Sequence, residues 1–193
     1  MEKKSYFIQY AGISQASEIA SMIMTAMSKE CCLWLAGPKH TLGDLHQLLA
    51  SLVERDDTQY SYLNTLVAID GNELKGICTS YDGARLRELR QPFIDGAKEA
   101  LDMDHSKLDE ETQAGELYLD SLCVKPSYRR QGIASSLIKA SIKRARELKL
   151  PSVGLLVDFA NPNAEKLYRS LGFQLADVRM WCGHRMKHLS YIL

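Results

Sequence analysis

Along the first third of the chain, apolar positions recur at helical spacing. Within residues 14–29, Ile19, Met22, Ile23, Ala26 and Met27 fall at i, i+3, i+4 intervals, and Ser14, Ser17 and Glu18 stand where a helix start takes polar groups. The Met stripe reads as core packing rather than a pliable binding surface. Gly37-Pro38 breaks the chain, and Leu45, Leu48, Leu49 and Leu52 mark a second helix over about 42–54. Residues 3–10 predict a first strand. Residues 63–69 and 74–81 predict a hairpin turned at Asp70-Gly71-Asn72. Residues 84–111 are charged and predict helix, with a break near Pro92. A strand then runs over 116–124 and ends at Pro126, and a helix follows from Gly132 to about Leu148, where Pro151 stops it. Residues 152–159 are another strand. Asn161-Pro162-Asn163 opens a short helix over 164–171 that Gly172 stops. Residues 173–181 and 185–193 close as a hairpin turned at Cys182-Gly183. No repeat or linker divides the chain, so residues 1–193 read as one α/β domain.

Composition narrows the class. At 46% hydrophobic and 25% charged, the chain is neither disordered nor a disulfide miniprotein, and it can bury a real core. Twenty-four Lys+Arg balance twenty-four Asp+Glu, which argues against a general binder of nucleic acid or of a membrane surface. The balance hides a polarised molecule. Residues 82–120 hold eleven acids against five bases, and residues 125–149 hold eight bases against one acid. The basic stretch suits an anionic ligand. No apolar run reaches the ~18–20 residues of a membrane span, and the charged start does not resemble a signal peptide. The five cysteines (Cys31, Cys32, Cys78, Cys123 and Cys182) are scattered with no CxxC pair. That pattern predicts reduced thiols in a cytoplasmic protein and no metal site.

The most informative stretch is Val124-Lys125-Pro126-Ser127-Tyr128-Arg129-Arg130-Gln131-Gly132-Ile133-Ala134-Ser135-Ser136-Leu137. A strand ends, a short basic loop follows, and a helix begins on small residues. Unpaired N–H groups and about half a positive charge gather at such a helix start. Gly132, Ala134 and Ser135 let an anion approach the backbone, and Arg129 and Arg130 add charge-assisted hydrogen bonds. The same residues also fit a basic helix start on a solvated face. The spacing Arg-x-x-Gly-x-Ala is neither a Walker loop nor the dinucleotide GxGxxG.

Arg129-x-x-Gly132-x-Ala134, after a strand ending Leu122-Cys123-Val124, resembles the acyl-CoA motif of the GNAT acyltransferase superfamily. Asn161, followed by Ala164-Glu165-Lys166-Leu167-Tyr168 and Gly172-Phe173, resembles that family's next motif, one βα unit further on. Together the two motifs are specific, and they cover about residues 116–175. The resemblance implies a mixed, mostly antiparallel twisted sheet with helices on both faces and a central βαβ unit that binds acyl-CoA. Strands 116–124 and 152–158 would splay around the cofactor arm.

By the same resemblance, main-chain groups of Leu122, Cys123 and Val124 would hold the pantetheine and acyl carbonyl. Backbone N–H groups of Arg129, Arg130, Gln131, Gly132, Ile133 and Ala134, with Ser135, would hold the pyrophosphate, and Asn161 would border the arm. Tyr168 matches the tyrosine near the sulfur that serves as general acid. A main-chain N–H of Leu122 or Val124 would polarise the carbonyl. Period-two alternation puts Glu116, Tyr118 and Asp120 on one strand face. Asp120 is the preferred base and Glu116 the second, unless a bulge shifts the parity; either could instead bind a cationic amine. His184 and His188 are weaker candidates for the acceptor pocket. The implied function is acetyl transfer from acetyl-CoA to a primary amine of a small molecule or peptide, by a monomer or homodimer, without metal, nucleic acid or membrane. The alternatives are a non-catalytic acyl-CoA sensor and an interaction module built on the acidic segment.

Overall fold

A computed structural model describes residues 6–193. Its strands are β1 (Phe7–Tyr10), β2 (Thr65–Asp70), β3 (Glu73–Asp82), β4 (Glu116–Val124), β5 (Ser152–Asp158), β6 (Gln174–Trp181) and β7 (His184–Ile192). They form one sheet in the order β1-β2-β3-β4-β5-β7-β6. Neighbouring strands are antiparallel except β4 and β5, which run parallel. Helices α1 (Ala16–Ala26), α2 (Lys29–Ala36), α3 (Leu42–Val53) and α4 (Leu86–Leu101) contribute the apolar cluster on one face of the sheet. Helices α5 (Ile133–Glu147) and α6 (Pro162–Ser170) pack on the other face. The mixed, mostly antiparallel sheet with helices on both faces is therefore as the family resemblance implies. Positions 3–5 of the first predicted strand lie outside the described residues.

Two stretches differ from expectation. The helix predicted over 14–29 ends at Ala26, Met27 is extended, and α2 starts at Lys29, the two axes bent by 115°. Ser28 causes the restart: its Oγ accepts from the Cys31 N–H at 3.0 Å and caps α2. Ser14 and Ser17 do not cap α1; the turn before it is tied by the Gly12 N–H donating to Gln15 Oε1 at 2.9 Å. The Met stripe is core where it matters, since Met22, Ile19 and Ile23 are buried.

The charged segment also departs from its prediction. Helix α4 passes through Pro92 without a break and ends at Leu101, where Asp102 takes a left-handed conformation (φ 53°). Leu86, Leu89, Phe93, Ala97 and Leu101 are buried at i, i+3, i+4 spacing, and their burial offsets the one backbone donor that proline removes. Residues 102–115 form no helix. Instead they lie along the protein, with His105, Glu111 and Thr112 buried. The segment is packed through its apolar residues, His105, Glu111 and Thr112, while Glu88, Asp95, Glu99, Asp102, Asp104, Asp109 and Glu110 remain exposed. Among the described residues, no single helix is long and apolar enough to cross a membrane.

Candidate active site

The site begins with an interrupted ladder. Strands β4 and β5 pair only through Glu116↔Ser152, Leu117↔Val153 and Tyr118↔Gly154. Beyond that point β4 continues along β3 and β5 along β7, so the two strands diverge as a V. Main-chain N–H and C=O groups of 119–124 that face the gap lack a strand partner there and can accept an extended ligand as an added strand. At the apex Gly154 leaves room for the Glu116 carboxylate, because a Cβ at 154 would lie 2.1 Å from Glu116 Oε2.

A bulge sets which side chains face which way. Thr79 pairs with Ser121 and Ser80 with Leu119, leaving Asp120 as the extra residue in β4. Before the bulge Leu117 and Leu119 face α5; after it Leu122 and Val124 do, while Cys123 joins the opposite cluster. Simple alternation therefore fails at Asp120. Asp120 still lies on the side of Tyr81, whose ring packs edge-on against Tyr118 at 5.8 Å.

At the wide end of the V stands the start of α5. Gly132 is its N-cap in a left-handed conformation (φ 79°), with no side chain to cap the helix, and the first turn holds no acidic residue. The leading N–H groups and the helix dipole are thus left for an outside anion. Arg130 is also left-handed (φ 63°), which shapes the loop into the helix. Arg129 Nε donates to the Val124 carbonyl at 3.2 Å and Gln131 Nε2 to the Ser127 carbonyl at 3.3 Å, so the basic loop is braced while Arg130 stays exposed. Ile133 is buried under the helix, and Ala134 and Ser135 are half-buried. Asn161 caps α6, its Oδ1 accepting from the Ala164 N–H at 3.1 Å.

The titratable groups sort by environment. Asp120 Oδ1 accepts from Ser121 Oγ at 2.8 Å, and Oδ2 accepts from Gln59 Nε2 at 3.3 Å. Burial pushes the Asp120 carboxyl above its ordinary value, against the Ser121 hydrogen bond and the Arg90 charge. Glu116 goes the other way. Burial would raise it, but hydrogen bonds from His188 Nε2 (2.9 Å) and Thr112 Oγ1 (2.7 Å) hold it below the usual range. Glu116 is a closed, buried brace joining β4 to β7, and His188, 1% exposed, is the other half of that brace. His184 is exposed at the hairpin tip. Tyr168 packs against Phe173, ring centroids 5.9 Å apart, and burial raises its phenol above the ordinary value. Its Oη has no hydrogen-bond partner among the described residues.

Several residues around Asp120 had no visible signal in the sequence. Gln59 comes from the segment before β2, Tyr81 from β3, Arg90 from α4 and Glu111 from the loop after it. Only their burial as charged or polar groups marks them, and burial needs the fold. The free thiols of Cys31 and Cys182 stand 3.9 Å apart across the same region. A groove of about 710 Å³ between α3 and α4, lined by Arg55, Asp57, Glu88 and Asp95 among others, contains none of the site residues.

This architecture has known counterparts. A solved structure described as an acetyltransferase superimposes with a TM-score of 0.79 at 26% identity, over 96% of this chain and 98% of that one. An N-acetyltransferase from Staphylococcus aureus Mu50 gives 0.75 at 22% identity, over 96% and 100%. The N-acetyltransferase paia from Thermoplasma acidophilum, solved in complex with coenzyme A, gives 0.59 at 14% identity, over 97% and 99%. In sequence, the N-alpha-acetyltransferase 30 of Dictyostelium discoideum is 41% identical over 56 residues, 29% of this chain and 30% of that protein. The chain spans less than a third of the length of the curated relatives it matches. The profile of the Acetyltransferase (GNAT) family matches residues 35–173, which holds the V, the uncapped helix and Tyr168, and the chain belongs to that family.

Proposed function

We propose that this protein transfers an acetyl group from acetyl-CoA directly to a primary amine of a small molecule or peptide. The observation that carries the reading is the V between β4 and β5, ending at a helix start with no cap and no acid in its first turn. A thioester arm fits the gap as an added strand, and a diphosphate fits the uncapped N–H groups. The coenzyme A in the complex of the Thermoplasma acidophilum enzyme supports the donor class. The name of the Dictyostelium relative supports an amine acceptor.

Bound acetyl-CoA supplies an activated acyl carbon and a thiolate leaving group. The protein's residues do the rest. Arg129–Ala134 and Ser135 hold the diphosphate, and Leu122, Cys123 and Val124 align the arm. Asp120, with its raised proton affinity, takes the proton the amine must lose in attacking the carbonyl. The N–H of Leu122 or Val124 faces the oxyanion as it forms. As the C–S bond breaks, Tyr168, still protonated at neutral pH, gives its proton to the sulfur. Glu116 is held ionised in its brace and serves the strand apex rather than the amine. Metal plays no part in this proposal, and a cytoplasmic location is part of it on the cysteine pattern alone.

The test is calorimetric titration with acetyl-CoA, with CoA and ATP as controls, followed by a thiol-release screen over amines. Binding of acetyl-CoA and CoA but not ATP is expected. No binding of either would refute the cradle. Tyr168→Phe should lower kcat with little change in acetyl-CoA affinity; equal loss of both would make Tyr168 a binding residue.

A further inference from the structure

Behind Asp120 runs a buried chain of polar groups. Tyr81 Oη lies 3.1 Å from Glu111 Oε1 and 3.5 Å from Asp120 Oδ2. Glu111 forms an ion pair with Arg90, and Tyr81, Glu111 and Arg90 are all at most 5% exposed. Arg90 Nη1 donates to the Asp109 carbonyl at 3.0 Å, and its guanidinium lies over the Trp181 ring at 5.4 Å. The Glu111 carbonyl accepts from Arg179 Nη1 at 3.3 Å, so β6 holds the loop as well.

Tyr81 has one proton and two carboxylates. A phenol donating to an ionised carboxylate closes to about 2.5–2.7 Å. Both contacts are longer than that, the single proton can serve only one of them, and Glu111 at 3.1 Å is the nearer acceptor than Asp120 at 3.5 Å. We propose that the Arg90–Glu111 pair holds the Tyr81 proton, so that Tyr81 turns its oxygen lone pair to Asp120 and accepts a hydrogen bond from Asp120 once Asp120 has taken the proton of the amine. The inference rests on Asp120 as the base proposed above. Arg90 and Glu111 both come from the acidic segment, and both act through Tyr81 as positioning residues, which gives that segment a part in the chemistry.

The proton balance is complete within the chain. The amine loses H⁺ to Asp120 Oδ2, the new O–H donates to Tyr81 Oη, and Tyr81 keeps its own proton on Glu111. Other groups bear on Asp120. Gln59 and Tyr60 face it from the segment before β2, Cys78 from β3, Tyr118 and Ser121 from β4, and Cys31 from α2. Gln59 and Ser121 donate to the ionised form and favour it. With its proton toward Asp120, Tyr81 favours the ionised form as Gln59 and Ser121 do; with its proton held at Glu111, it is the group in this set that stabilises the protonated form.

The two orientations of Tyr81 predict opposite signs. If its oxygen faces Asp120, Tyr81→Phe removes the acceptor for the protonated acid, and the Asp120 midpoint falls by about half a unit to one unit. If its proton faces Asp120, the same change removes a donor to the carboxylate, and the midpoint rises. Glu111→Gln lets the Tyr81 proton swing to Asp120 and frees the Arg90 charge, so it too lowers the midpoint. The experiment is a pH titration of ¹³C-labelled aspartate carboxyls by NMR on the full chain. Asp120 is assigned by the signal lost in Asp120→Asn. The acid limb of kcat/KM is followed in parallel, with acetyl-CoA affinity as the check on folding. A fall in both variants, with the acid limb moving alongside, is expected. A rise or no change in Tyr81→Phe overturns the proposal, and that variant alone decides it if Glu111→Gln does not fold. An acid limb that persists in Asp120→Asn would refute the base assignment instead, while the NMR titration would still read the orientation of Tyr81.

Discussion

A methyl group added at Gly154 probes the apex of the V most directly. The new Cβ would lie 2.1 Å from Glu116 Oε2 and 2.5 Å from Cδ. The carboxylate has nowhere to go, because Thr112 holds one oxygen at 2.7 Å and His188 the other at 2.9 Å. Displacing it forfeits two hydrogen bonds to a charged, buried group, about 1.5–3 kcal/mol each. Replacing a glycine whose φ is not positive returns at most about 1 kcal/mol through the unfolded chain. The net loss is then about 2–5 kcal/mol. For a chain of this length each kcal/mol moves the thermal midpoint by about 2–4 °C, so Gly154→Ala should melt roughly 10 °C lower. The assay is thermal unfolding followed by circular dichroism. Glu116→Ala and the double variant complete a cycle, in which Glu116→Ala opens the space and makes the second change cheap. A single-variant midpoint within about 2 °C of wild type, or costs that simply add, would refute the claim that Glu116 is pinned against Gly154.

Further outcomes follow from the same geometry. At Gly132 the φ of 79° is left-handed and the nearest neighbour to an added Cβ is Tyr6 Oη at 3.9 Å, so Gly132→Ala costs backbone strain alone, about 1–2 kcal/mol by urea unfolding. Gly132→Glu adds a negative charge at the helix start and should abolish acetyl-CoA binding by calorimetry; unchanged affinity would remove the cradle. The folded state holds Glu116 below its ordinary value, so its contribution to stability is full above the unfolded value of about 4.3 and is lost as pH falls through the lower folded value. Urea unfolding across that acid range should therefore be steeper in wild type than in Glu116→Gln, and identical slopes would contradict the brace. Oxidation by a peroxide should join Cys31 to Cys182, whose sulfurs are 3.9 Å apart, with loss of two hydrogens by mass spectrometry that Cys182→Ser prevents. If no such cross-link forms, α2 and the β6–β7 turn are not neighbours in solution.

Much of the fold was legible because its signals are local. Strand β4 begins and ends where Glu116 and Pro126 predict, and α5 stops where Pro151 demands. The hairpins turn at Asp70–Asn72 and at Cys182-Gly183. The misses differ in cause. The helix through Pro92 was decided by burial against elements distant in sequence, which local propensity does not contain, whereas the restart at Ser28 is a local side-chain cap that the continuous apolar spacing over 14–29 masked.

The site divides along the same line. Arg129, Gly132 and Ala134 mark the proposed anion cradle in the sequence because a glycine N-cap and a basic loop act within one turn of backbone. Tyr168 is marked by the motif that opens at Asn161. Whether Asp120 or Glu116 has the raised proton affinity could not be read from the chain, since both are carboxylates four residues apart on one strand. The fold separates them. A bulge leaves Asp120 facing Gln59, 61 residues away, where burial outweighs its hydrogen bonds and the Arg90 charge, while Glu116 meets His188, 72 residues away, and Thr112. The sequence by itself determined the strands, most of the helix spans and the loop proposed above to hold a diphosphate, because hydrogen bonding and backbone conformation are set by near neighbours. Only the tertiary structure decided which of the two acids is raised and which is held ionised, because desolvation and charge pairing arise where distant segments meet.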